Sequence, residues 1–108
     1  MINANAVAEI IATYQKHGWI LRRVLLSDES RAVLGASVNG IPVTGSNIDA
    51  AWFSRPPKSG RVAWEVRYLG DVPFALLENI EEENPDFEDQ LRSVEARLID
   101  AVTARKSA

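Results

Sequence analysis

The stretch from Ala51 to Gly70, AWFSRPPKSGRVAWEVRYLG, places two alternating apolar and polar runs on either side of Pro56, Pro57, Lys58, Ser59 and Gly60. Proline fixes φ and glycine allows the chain to return, so the run reads as a bend between antiparallel strands. With Arg55 and Arg61 flanking that bend, Trp52 faces Trp64, Ala50 faces Val66 and Ile48 faces Tyr68, giving one nearly apolar face. A facing aromatic pair adds about 0.5–1.5 kcal/mol beyond its buried area. The other face pairs Asp49 with Arg67, Ala51 with Glu65 and Phe53 with Ala63. Arg55 opposite Arg61 is a like-charge pair, tolerable at a solvated hairpin end.

Gly70-Asp71 suits a two-residue turn with glycine at its first central position. That turn sets Leu77 beside Trp64 and Ala75 beside Val66, and sends Phe74 towards Arg67 and Leu76 towards Glu65 on the reverse face. Residues 48–55, 61–69 and 73–80 are therefore expected to form an antiparallel meander. Upstream, WILRRVLL (19–26) is rich in strand formers, and strict alternation puts Arg22 and Arg23 on opposite faces. Ser27-Asp28 offers a helix start that Gly35 ends, Asn39-Gly40 signals a turn, and Pro42 restricts IPV (41–43) to a short edge strand.

Two helices frame the strands. Val7, Ile10, Ile11 and Tyr14 recur at helical spacing over residues 3–17. Lys16 and His17 sit in the last turn and Gly18 lies just beyond. At the other end Asn84 caps, Pro85 opens, and Asp86, Glu88 and Asp89 load the positive end of the helix dipole. Phe87, Leu91, Val94 and Leu98 form its stripe. The expected fold is thus α+β, one domain spanning 1–108, a two-layer sandwich. Its elements run α-β-(short α)-β-β-β-β-α, with an antiparallel sheet of four or five strands and both terminal helices on one face. The expected core is Val7, Ile11, Tyr14, Trp52, Trp64 and Val66, with Leu77, Phe87, Leu91, Val94 and Leu98.

A chain of 108 residues, 46% apolar and 25% charged, has the composition of a folded domain. It has no cysteine, which removes disulfides and thiolate chemistry and fits a reducing, cytoplasmic setting. No apolar run is long enough to span a bilayer, and the N-terminus does not read as a signal peptide. The net charge of −3 is unevenly spread: residues 14–69 hold eight Lys/Arg against four acids, residues 70–104 two Arg against ten acids.

No catalytic, cofactor or metal site is expected. His17, the single histidine, is explained by its place at a helix end. The acidic run ENIEEENPDFED (78–89) lacks the central glycine of a calcium loop and leads straight into a helix. RPPK (55–58) reads as a bend rather than an extended polyproline ligand. What remains is the reverse face of the sheet, with Ala51, Phe53, Phe74 and Leu76 at its centre and Arg55, Lys58, Arg61, Glu65 and Arg67 around it. An apolar centre rimmed by charge resembles an interface. The expected function is a non-catalytic protein-interaction module that pairs with itself as a homodimer. The alternative is a small-ligand or nucleic-acid binder using the aromatic and basic hairpin 52–68. The acidic balance disfavours nucleic acid.

Overall fold

The computed structural model describes residues 3–35, 38, 40–56 and 62–107. Eight elements follow in chain order: α1 (Ala4–Lys16), β1 (Ile20–Leu26), α2 (Asp28–Leu34), β2 (Val43–Gly45), β3 (Ala50–Arg55), β4 (Ala63–Tyr68), β5 (Ala75–Asn79) and α3 (Phe87–Ser107). The α+β class, the order of elements and the five strands agree with the sequence reading. The strands form one sheet in the order β2-β1-β3-β4-β5. One pair departs from the antiparallel expectation: β2 runs parallel to β1, with Val24 beside Val43. The α2 crossover between those strands permits it.

Local chemistry accounts for the helix ends. The Asn3 side chain accepts from the amides of Asn5 and Ala6. At the other end of α1, Gly18 takes φ +89°, and the amides of Gly18 and Trp19 donate to Gln15 and Tyr14, a Schellman closure. Asn84 Oδ1 accepts from the Asp86 amide before α3 begins. Gly40 also has positive φ, as a turn there requires; Asn39 lies outside the described residues.

The layering corrects the expectation of two helices on one face. Leu91, Val94, Leu98 and Val102 of α3 pack with Leu25, Ala50, Trp52, Trp64 and Val66. Val7 of α1 and Leu34 of α2 pack with Val24, Leu26, Ala51 and Phe53. Successive strand residues point to opposite faces, so α3 covers one side and α1 with α2 the other. The cause is β3: its AAWFS run is buried on both faces, which a single helical layer cannot achieve.

Register explains two further differences. In the β3–β4 pair Trp52 lies opposite Val66 and Ser54 opposite Trp64, two residues from the expected pairing. An even shift keeps the faces, so the indoles still meet, edge to face at 6.1 Å. It also seats Arg55 opposite Ala63; Arg61, expected there, lies outside the described residues. The β4–β5 pair has Val66 opposite Leu76 and Glu65 opposite Leu77, an odd shift that turns β5 over. Gly70 does not adopt positive φ; the ring of Tyr68 fills the space a side chain there would need. Pro73 has no amide to give, and the hairpin closes through Tyr68 N–H to Phe74 C=O at 2.8 Å. Leu76 and Phe74 consequently join the α3 side, and Leu77, expected in the core, is 60% exposed.

A bulge in β1 between Leu21 and Arg23 overturns the third expectation. It places both arginines on the α3 side. Arg22 donates to Ser54 Oγ at 3.1 Å, lies 4.9 Å over the Trp64 ring and pairs with Glu82 at 2.9 Å. Arg23 grips both oxygens of Glu88 at 2.9 and 3.2 Å. Bulges commonly re-aim side chains in this way, and here the tandem pair fastens the approach to α3.

Candidate functional site

The α1 side is incompletely covered. α1 lies over β1 and β3, and its Tyr14 ring stacks on Phe53 with centroids 4.1 Å apart and planes 14° from parallel. Trp19 meets Tyr14 edge to face at 6.1 Å. Beyond Tyr14 the layer ends: Glu65 and Arg67 of β4 lie along the margin of α1, and Leu77 and Ala75 of β5, beside them on the same face, are exposed. Ala6, Glu9, Ile10, Thr13, Tyr14 and Arg67 line a groove of about 400 Å³ along that boundary.

Tyr14 and Arg67 have partners within the chain. Tyr14 donates its hydroxyl to Glu65. Burial, then the bond to Glu65 and its negative charge, raise the Tyr14 phenol well above the usual range, so it stays a donor at physiological pH. Arg67 donates to the Tyr68 carbonyl. A half-buried Tyr–carboxylate pair next to an arginine and an exposed leucine can bind apolar and polar surface together.

The residues expected to form a partner surface divide. Ala51 and Phe53 are fully buried beneath α1, so they are core. Phe74 and Leu76 lie on the α3 side, where Arg105 covers the Phe74 ring at 4.7 Å. Arg55 sits 5.6 Å over Trp19, at the far end of α1. Glu65 and Arg67 remain on the open face. Lys58 and Arg61 lie outside the described residues, as do Pro57, Ser59 and Gly60. Sequence reasoning placed Leu77 in the core because it took the 70–71 turn to close with two residues. Of the expected core, Val7, Trp52, Trp64, Val66, Leu91, Val94 and Leu98 are buried, while Ile11, Tyr14 and Phe87 are half-buried.

Elsewhere the polar groups serve the fold. Asp49, expected beside Arg67 on the sheet, instead accepts from the Ser27 amide at 2.8 Å and from Ser30 Oγ at 2.7 Å, pinning the start of α2. Trp52 Nε1 donates to Glu95 Oε2 at 2.7 Å. Burial raises the Glu95 carboxyl above its usual range, partly offset by that bond and by Arg23. The bond from Arg23 lowers Glu88. His17 is exposed, its Nδ1 2.8 Å from the Thr13 carbonyl. Among the described residues no group of three or more His, Asp or Glu converges as a metal site. Trp52 and Trp64 are at most 1% exposed, so neither can stack on a base while α3 is in place. No helix among the described residues is long and apolar enough to cross a membrane. The chain matches no protein-family model, and neither a curated protein nor a solved structure is detectably similar to it.

Proposed function

We propose that this chain is a non-catalytic protein-interaction module of the cytoplasm that self-associates through the open β4–β5 face. The observation that supports this is Leu77, 60% exposed at the middle of β5, beside a groove whose rims carry Glu9 and Arg67. A large aliphatic side chain in water contributes little to folding, and an apolar centre between opposite charges suits an isologous contact. In such a contact each copy presents its glutamate to the other's arginine.

Sedimentation equilibrium of the native chain and of Leu77→Asp tests the reading. The expected result is a dimer for the native chain and a monomer for the variant, with matching thermal unfolding at a concentration low enough to dissociate the native dimer. A native chain that stays monomeric up to about 1 mM, the weak limit of specific association, refutes it. So does a variant that dimerises equally well.

A further inference from the structure

We propose that the outer edge of β5 accepts an extended, lysine- or arginine-rich peptide as a sixth strand. This surface is the rim of the sheet, distinct from the face used in self-association.

β5 is the last strand of the sheet, and among the described residues no strand lies beyond it. Towards β4, the Phe74 carbonyl accepts from Tyr68 and the Ile80 amide donates to Val62. In an antiparallel ladder the groups of alternate residues point the same way. The N–H and C=O of Ala75, Leu77 and Asn79 are therefore directed outward, three successive docking positions for a strand. Natural edges are usually blunted by an inward-pointing charge, a proline within the strand, or extreme shortness. Residues 75–79 contain no proline or lysine, and the one acid, Glu78, is tied to Arg97 at 2.6 Å. The opposite edge, β2, has only three residues.

Charge selects the occupant. Residues 70–83 carry five acids and no base. Glu78 and Glu82 are paired with Arg97 and Arg22, and exposed Glu81 and Glu83 extend past the end of the strand. A second copy of β5 brings the same segment, with five acids and no base over residues 70–83, against its own like charges, which is unfavourable. A strand with lysines or arginines complements the same positions and still gives its alternate side chains to Leu77 on one face and Leu76 on the other. Main-chain bonds supply the affinity and the flanking charge the preference.

The test uses a blocked nine-residue peptide of alternating lysine and valine, and its analogue with glutamate for lysine. Amide hydrogen exchange is followed in the native chain. The lysine peptide is expected to slow exchange at 75, 77 and 79 about tenfold or more, with little change at 76 and 78, already bonded to β4. Salt near 1 M weakens the effect, and the glutamate peptide gives none. Asn79→Pro removes one outward donor while keeping Leu77 and the bonds to β4, and is expected to lose peptide binding but retain the native oligomeric state. Ala75→Pro serves as the second variant if the first fails to fold. Unchanged exchange at roughly 1 mM lysine peptide, or equal protection by both peptides, overturns the proposal. Concentration-dependent protection of 75, 77 and 79 without peptide also overturns it, by assigning the edge to a second copy. Leu77→Asp, which tests self-association, leaves these edge amides in place, so either reading can fail alone.

Discussion

Trp52 and Trp64 are both almost wholly buried under α3, yet their indole N–H groups differ. That of Trp52 donates to Glu95, whereas that of Trp64 has no hydrogen-bond partner among the described residues. Replacing each with phenylalanine leaves a similar void, so the cavity cost largely cancels in the comparison. Trp52→Phe removes the donor from a partly buried carboxylate, a loss of about 1–2 kcal/mol. Trp64→Phe deletes a desolvated N–H and recovers about 1–2 kcal/mol, less roughly 0.5–1 kcal/mol for a weaker stack under Arg22. Trp52→Phe should therefore be the less stable of the two by about 2 kcal/mol, roughly 30-fold in the folding equilibrium. Urea unfolding followed by far-ultraviolet circular dichroism reads this without relying on the deleted fluorophore. Equal midpoints, or Trp64→Phe the less stable, would show that the orphan indole is not a net cost.

Glu95 makes stability depend on pH. Its folded carboxyl is raised above the ordinary value, so the native state holds its proton more tightly than the unfolded chain. Its contribution is full below the unfolded value and lost as pH rises through the folded one. Glu95→Gln should remove that loss, so the variant gains on the native chain as pH rises above the ordinary carboxylate range; urea midpoints that stay parallel as pH rises would contradict it. Phe53→Ala should cost about 3–5 kcal/mol, by chemical denaturation, because it empties the centre of the α1 side and strips Tyr14 of its stacked partner. A cost under about 1 kcal/mol would mean that α1 does not close this side of the sheet.

What the sequence made legible was local. The stripe of α3 and the Gly18 end of α1 need only neighbouring residues, and they are where the pattern put them, whereas α3 begins at Phe87, two residues after the expected Pro85. The meeting of Trp52 and Trp64 was also readable, because strand alternation survives a shift of two. The position of Leu77 was not, since it turns on whether the 70–71 turn closes with two residues. That depended on the Tyr68 ring above Gly70, a contact visible only in three dimensions. The β1 bulge was equally hidden, as any two adjacent arginines in a strand read as opposed. The second helical layer was signalled by AAWFS: a strand with Ala51 and Phe53 between Ala50 and Trp52 has no face suited to water.

The open face follows from that layering. Five strands spaced about 4.8 Å apart span roughly 19 Å, and one helix is about 10 Å wide. α1 therefore covers little more than two strands and its shadow ends at Tyr14. On the other side, α3 is long enough and so placed that Trp64, Val66 and Leu76 are covered together. The uncovered strip could hold polar residues at almost no cost to folding. Full burial of a leucine contributes about 1.5–3 kcal/mol, and Leu77, with three-fifths of its surface in water, gains well under half of that. A threonine would serve the strand equally well. Leucine at 77 is thus a residue for which the monomer has little use and an apolar contact with another chain has much.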